Sequence, residues 1–441
     1  MAATGVTSLA DLLVAGDEIA VYAGDEAVTR SELLARAVAV ARDIAPGEPV
    51  EVQLPNGVDL VATMFGVWKA GGVYVPVNPR LTETEIARIH SSVQGQHERD
   101  IALIQFTSGT TGPPKPVLLR HSGVLTLLDG VIGTLRTQPQ DTSRQPMPNL
   151  IPVSLSLWAG IYQVLFAFRV GAPIVIMEQF ATQQFAELVR RFEIRSTVLP
   201  PAAMTMLCDD DAIHDLAPLK YVRSISAPLS PLQARRFKAR FGIAVLNGYG
   251  QTEIGGEIVG WSAADAKAFG DTKLGAVGRP HAGVSVRTAD DGELQVRTPA
   301  LGAGYANGVD LSDRLTDDSW FRTGDAGRVD DDGFVWIDGR VSDMINRGGL
   351  KVFPEEVAEV LRLSPVVTDA AVVGVPDDRL GEVPVAFVVS NGAALDADSL
   401  EALCREHLAA YKVPVRFEAV AELPRNEIGK VKAADLIERM R

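Results

Sequence analysis

Between Asn149 and Leu207 the chain alternates short apolar runs with stretches of helical period: NLIPV, WAGIYQVLFAFRV, APIVIM, TQQFAELVRRFEI, STVL and PAAMTML. This order predicts β-α-β-α-β-α. Strands that return repeatedly after a helix lie parallel in a sheet, with right-handed crossovers and helices on both faces. The segment therefore predicts a large α/β domain before any single residue is considered. An earlier stretch has the same pattern, with LVATMFGVWKAGG (60–72) as helix and VYVPV (73–77) as strand. Ligands of such sheets gather beyond the carboxyl ends of the strands. From about Gly283 to Asp338 the pattern shortens to alternating strands and tight turns, VSVRTADDGELQVRT and GRVDDDGFVWIDG, with Asp332-Gly333 as a hairpin signal. Beyond Arg340, EEVAEVLRL and SLEALCREHLAA read as helices and AAVVGV and VPVAFVV as strands. The expected architecture is α/β. A large N-terminal domain over residues 1–339 has mixed and parallel sheets covered by helices plus a small antiparallel β subdomain, and a small α+β C-terminal domain follows over 340–441.

A chain of 441 residues is long enough for several domains at roughly 150 residues each. Its formal charge of −14, from 56 acidic and 42 basic residues, repels phosphate backbones and anionic lipid. Nucleic acid is not an expected partner, and any polyphosphate must be held by a local device. Cys208 and Cys404 stand far apart with no CxxC or Cys/His grouping, the pattern of neither a disulfide framework nor a zinc site. The N-terminus lacks a basic n-region, and the longest apolar run, LWAGIYQVLFAF (157–168), is too short to cross a bilayer. A cytoplasmic protein without a membrane span is expected. Six histidines, none at metal-ligand spacing, and the absence of a GxSxG elbow leave catalysis to positioning and electrostatics.

The local device is the stretch FTSGTTGPPKPVLLRH (106–121). In Thr107, Ser108, Gly109, Thr110, Thr111 and Gly112, glycines let the backbone approach a ligand while hydroxyls and amides donate hydrogen bonds, and Lys115 adds a point charge. Those are the requirements of a polyphosphate. The spacing is not that of a Walker loop, and no strand-then-GxGxxG fingerprint follows.

This stretch resembles the phosphate loop of the adenylate-forming superfamily of acyl-CoA synthetases, peptide-synthetase adenylation domains and luciferases. NGYGQTE (247–253), FRTGD (321–325), GRVSDMINRGGLKVFPEEV (339–357) and LPRNEIGKV (423–431) resemble further motifs of that family, in its order. The resemblance implies a carboxylate attacking the α-phosphate of ATP, two anions that repel unless cations and donors lie between them. By the same resemblance Thr107 to Lys115 cradle the leaving pyrophosphate, Thr252 touches the α-phosphate and Glu253 holds Mg²⁺. Tyr249 stacks on adenine, Asp325 accepts both ribose hydroxyls, Arg340 makes a second ribose contact, and Lys430 bridges carboxylate and α-phosphate. The C-terminal domain of family members is mobile. It swings about a hinge, here Ser342, and presents the Gly348-Gly349 segment to the pantetheine of coenzyme A, whose thiol displaces AMP.

Three features depart from the family pattern. Pro116 stands where glycine is usual, so that either a phosphate donor is lost or the next strand simply begins there. Ser342 replaces the aspartate or lysine common at the hinge. The stretch between NPRLTETEI (78–86) and the phosphate loop is short, as if an α/β piece were missing. The acid pocket reads as apolar, with Ser154, Leu155, Trp158, Gly160, Ala227 and Gly248 as its walls, and predicts an uncharged hydrophobic carboxylic acid. The leading expectation is an acyl-CoA ligase acting through an acyl-adenylate. The alternatives are an enzyme that only forms thioesters from a preformed acyl-adenylate, a loader of a carrier protein, and a nucleotide-binding pseudoenzyme. The oligomeric state stays open, a homodimer included.

Overall fold

The computed structural model describes residues 5–107, 114–135, 146–225, 227, 229, 231–270, 272–425 and 431–440. They group into two compact units, Met1–Ser285 with Arg297–Trp320, and Val286–Val296 with Phe321–Arg441.

Unit 1 contains the predicted β-α-β-α-β-α run as strands Asn149–Ile151, Ile174–Ile176 and Ser196–Leu199 alternating with helices Trp158–Arg169, Thr182–Arg191 and Pro201–Asp209. Asn149–Ile151 and Ile174–Ile176 pair in parallel, and Ser196–Leu199, Tyr221–Ser224 and Ala244–Asn247 form a second parallel set. The Thr197 hydroxyl donates to the Leu150 carbonyl at 2.8 Å and links the two. The helices differ as their surroundings require. Trp158–Arg169 is apolar on most sides and buried on most sides. Thr182–Arg191 turns Phe185, Ala186 and Val189 inward and ends on Arg190 and Arg191, cations that suit the negative end of the helix dipole. Phe185, Val189, Leu207, Val222 and Phe237 share one core, each contributing about 1.5–3 kcal/mol by burial.

A further sheet orders Pro49–Val52, Val73–Pro76, Ile101–Thr107 and Lys115–Arg120, the first three parallel and the last antiparallel. A single helix, Glu83–Ser92, stands between Val73–Pro76 and Ile101–Thr107. The Trp68 indole, on helix Val58–Lys69, donates to the Ala102 carbonyl at 2.7 Å and fixes that helix to the sheet.

Unit 2 holds the antiparallel set Glu293–Arg297, Phe321–Val329 and Val335–Arg340. The turn predicted at Asp332-Gly333 closes with the Gly333 amide on the Asp330 carbonyl at 2.8 Å. A five-stranded sheet follows, with Gly381–Ser390 at its centre and Val367–Asp377 paired along one of its edges. Helices Pro354–Leu361 and Ala397–His407 cover its core. The boundary expected after Gly339 lies inside this unit, whose continuous part begins at Phe321. Cys208 and Cys404 are free and buried in separate cores, and burial pushes the Cys404 thiol up to about 11. Among the described residues no helix is long and apolar enough to cross a membrane.

The N-terminal segment of unit 1 docks through a buried histidine. His121 accepts the Leu9 N–H at Nδ1, 3.1 Å away, and burial pushes its pKa down from 6.5 to about 4, against the partial opposition of Asp100 and Asp11. A histidine held neutral in the fold stabilises it fully above its unfolded value and loses that contribution as protons are taken up. Unit 1 should therefore lose about 3 kcal/mol as pH falls from 6.5 to 4. Urea unfolding followed by tryptophan fluorescence across that range checks this, and His121→Gln should flatten the dependence.

Candidate functional site

Of the phosphate device, Ser108, Gly109, Thr110, Thr111 and Gly112 lie outside the described residues, as does Lys430. Its two ends do not. Thr107 and Lys115 are the last pair of the antiparallel hairpin Ile101–Thr107 and Lys115–Arg120. The opposite edge of that hairpin is stitched to residues 302–306. The Ala306 amide donates to the Pro116 carbonyl at 2.8 Å, Leu118 to Gly304 at 2.9 Å, and Ala303 to Leu118 at 2.8 Å. Main-chain groups of successive strand residues point to alternate edges. The missing N–H of Pro116 therefore falls on this outer edge and removes no bond to Ile101–Thr107, which suits the reading of Pro116 as a strand residue.

The same segment reaches the nucleotide candidates, since the Gly302 amide donates to the Glu253 carbonyl at 2.8 Å. Thr252 and Glu253 share the short 3-10 turn Thr252–Ile254, which ends on Gly255. Tyr249 lies on the preceding strand, its hydroxyl 3.2 Å from Gln251 Nε2. The structure thus brings Thr107, Lys115, Thr252 and Glu253 onto one main-chain frame.

Tyr305, which the sequence analysis did not single out, belongs to this frame. Its ring receives the Lys115 ammonium at 5.5 Å, its hydroxyl is buried without a partner, and burial followed by the Glu253 charge pushes that hydroxyl's pKa up. The available signal was an aromatic residue set in the glycine-rich run LGAGYAN.

In unit 2 the two ribose candidates meet. Asp325 and Arg340 are cross-strand partners, with Arg340 Nε 2.9 Å from Asp325 Oδ1. Asp325 is buried, and its amide donates to the Thr323 hydroxyl at 3.0 Å. Gly348 and Gly349 form the exposed turn between strands Ile345–Arg347 and Leu350–Val352, at φ of +61° and +88°, a conformation that side chains resist. Ser342 is exposed in the turn Val341–Asp343 and donates to the neighbouring Asp343 carboxylate at 2.8 Å. Among the described residues no three metal-ligating side chains gather. A magnesium ion that takes most of its ligands from phosphates and water needs no more from a protein than one carboxylate, which the candidate Glu253 carries.

The acid-pocket residues form a second group in unit 1. Residues 153–157 follow strand Asn149–Ile151 and are held by Asn56, whose amide donates to the Val153 and Met177 carbonyls at 3.0 Å and accepts from the Leu155 amide at 2.8 Å. Ser154 and Ser156 hydroxyls pair at 2.8 Å. Gly160 lies against this segment so tightly that a Cβ there would run into the Ser154 carbonyl. Trp158 is buried and donates to the Gly255 carbonyl at 3.0 Å, which joins the pocket segment to the Thr252–Ile254 turn. Gly248 and Ala227 follow the carboxyl ends of the neighbouring parallel strands Ala244–Asn247 and Tyr221–Ser224, Ala227 in an exposed turn.

The neighbours of these candidates are not apolar throughout. Glu257 covers Gly248 and is paired with Arg223 and His281. Burial pushes its carboxyl up, but Arg223 and His281 outweigh that and hold it below the usual range. The sequence analysis missed this cluster and Asn56. A glutamate inside the apolar strand GEIVG was the visible sign of the first.

Known proteins resemble this chain in sequence and in fold. The AMP-binding enzyme family model matches residues 13–96 and 90–306, and the model of the AMP-binding enzyme C-terminal domain matches 356–430. A putative acyl-CoA ligase of Bacillus subtilis (strain 168) is 32% identical over 349 residues, covering 76% of this chain and 66% of its own length. A 4-coumarate–CoA ligase of Solanum tuberosum is 32% identical over 361 residues, covering 77% and 65%. The chain spans just under two thirds of these curated relatives. An amide bond synthetase from Marinactinospora thermotolerans superposes with a TM-score of 0.86 at 26% identity, over 98% of this chain and 99% of that one.

Asn56→Ala removes the side chain that satisfies three main-chain groups around the pocket segment. It should cost unit 1 about 2 kcal/mol, read as a lower urea midpoint with an unchanged slope. Asn56→Asp keeps the acceptor for Leu155 but loses both donated bonds, so it should not restore the midpoint.

Proposed function

The chain belongs to the AMP-binding enzyme family, of the adenylate-forming superfamily and the acyl-CoA ligase type, and from that premise we propose that it activates a carboxylic acid as its acyl-adenylate and passes the acyl group to coenzyme A. The observation that carries this reading is the stitch through residues 302–306, which ties Lys115 and Thr107 to the Thr252–Glu253 turn. Donors and a cation fixed on one rigid frame need no reorganisation as charge moves from the α-phosphate to pyrophosphate, which is the main term in such a displacement.

In this reading Thr107 to Lys115 receive the leaving pyrophosphate, with the Lys115 ammonium steadied on the Tyr305 ring. Thr252 meets the α-phosphate and Tyr249 the adenine. Asp325, oriented by Arg340, accepts the ribose hydroxyls. Glu253 would hold a magnesium ion, which when bound would supply charge neutralisation for the phosphates. Lys430 draws the acid carboxylate and the α-phosphate together, and the domain that carries it turns about Ser342. Afterwards the Gly348-Gly349 turn, which carries no side chains, lets the thin pantetheine chain pass close to the backbone. The acid sits against Ser154, Leu155, Trp158, Gly160, Ala227 and Gly248.

A second reading has a specific observation in its favour. The family model matches in two segments that meet at residues 90–96, where a single helix stands between Val73–Pro76 and Ile101–Thr107. A shortened domain of this kind suits an enzyme that forms only the thioester from an acyl-adenylate made elsewhere.

Pyrophosphate exchange over a panel of acids, beside thioester formation from supplied acyl-adenylate, separates the two. Exchange together with thioester formation is the expected result; thioester formation without exchange would move the assignment to the second reading. Lys430→Ala should lower exchange by about 10²–10³-fold while the thiol step changes by less than about tenfold. Equal losses in both half-reactions would refute the role given to Lys430.

A further inference from the structure

Strand Phe321–Val329 does not run evenly beside Glu293–Arg297. Glu293 faces Ala326 and Gln295 faces Arg322, so that Leu294 stands opposite three residues, Thr323, Gly324 and Asp325. The surplus residues form a bulge, in which Gly324 takes a φ of +71° that a side chain would resist. A bulge draws main-chain groups out of the ladder, and each then needs a new partner. Here side chains provide them. The Gly324 amide donates to Glu293 Oε1 at 2.7 Å, the Thr323 hydroxyl donates to the Leu294 carbonyl at 2.6 Å, and the Asp325 amide donates to that hydroxyl at 3.0 Å.

Both supports are buried, Glu293 at 4% exposure and Thr323 at 0%. The second Glu293 oxygen accepts from Arg322 Nε at 2.9 Å, a counter-charge that offsets the cost of burying a carboxylate. What the carboxylate gives in return is a bond to a main-chain amide stronger than a neutral acceptor would make. Asp325 closes the bulge, and its carboxylate meets Arg340 Nε at 2.9 Å from the opposite strand. Arg340 thus constrains its tip, and the bulge sets the direction in which the side chain leaves the backbone.

We propose that Glu293 is a positioning residue for ribose recognition: through the Gly324 amide, and together with Thr323, it holds the bulge in the shape that presents the Asp325 carboxylate to both hydroxyls of a nucleotide's ribose. This rests on the reading of Asp325 as the ribose acceptor and adds the device that aims it. Two hydroxyls on adjacent carbons share one carboxylate only at a fixed tilt, so a support that sets the tilt governs whether both bonds form.

Calorimetry on the full chain with AMP, 2′-deoxyAMP and 3′-deoxyAMP tests this. The unaltered chain should bind AMP at least about tenfold more tightly than either deoxynucleotide, and Asp325→Asn should bring that ratio to within about threefold of one. Two substitutions separate reach from charge at Glu293. Glu293→Gln leaves an oxygen within reach of the Gly324 amide and removes the charge, and it should keep the ratio within about threefold of the unaltered chain. Glu293→Asp leaves the charge but draws the oxygen back by one methylene, and it should lose the preference as Asp325→Asn does. Combining these last two should lower the ratio no further. Thr323→Val removes the other support at similar shape and should act like Glu293→Asp, so it carries the test if that variant does not fold. A merely structural role would weaken all three nucleotides alike and leave the ratio where it was. An unchanged ratio in Glu293→Asp or Thr323→Val, or its loss in Glu293→Gln, overturns the inference while Asp325 keeps its role. Equal binding of AMP and both deoxynucleotides by the unaltered chain, binding of none of them, or an unchanged preference in Asp325→Asn removes the ribose reading and the inference with it.

Discussion

The pairing of residues 302–306 with strand Lys115–Arg120 on one side and with the Glu253 carbonyl on the other is the constraint on which the proposed nucleotide site depends. Phosphate chemistry asks little covalent work of a protein and much positional accuracy. Main-chain hydrogen bonds supply that accuracy cheaply, since they hold the ends of the phosphate hairpin and the Thr252–Ile254 turn in register whatever side chains the segment carries. Trp158, bonded to the Gly255 carbonyl, extends the same frame into the pocket segment.

An acidic chain that handles anions must place its cations where they are needed and keep them there. Lys115 rests on an aromatic face, Arg340 is braced by Asp325, and Arg223 is braced by Glu257. In each case the partner limits the motion of a long side chain, and in the two arginine pairs it also cancels charge that burial would make costly. The net charge of −14 is therefore a property of the surface as a whole and says little about the local field at any of these points.

Much of the fold was legible because its information is periodic. The alternation from Asn149 to Leu207, the helix at Val58–Lys69 and the hairpin at Gly333 all appear where local pattern put them. Motif order supplied the nucleotide candidates, of which the structure pairs Thr107 with Lys115 and Asp325 with Arg340. What local pattern could not convey were contacts between segments far apart in sequence. Asn56 serves a loop about a hundred residues away, Tyr305 joins a strand through a bridge with no periodicity of its own, and Arg223, Glu257 and His281 come from separate elements. Each is an ordinary polar or aromatic residue until the chain is folded. The grouping of Val286–Val296 with the chain beyond Phe321 likewise depends on strand pairing across a long insertion.

The placement of Pro116 has a consequence beyond the site. A strand at the rim of a sheet offers unpaired amides and carbonyls to any passing chain, which is how native sheets seed aggregates. Here the rim of Lys115–Arg120 is both interrupted by a residue that cannot donate and covered by residues 303–306. Lesions that loosen the covering segment would thus do double harm, blunting catalysis and baring an adhesive border, and their carriers would be lost from solution as readily as from the assay.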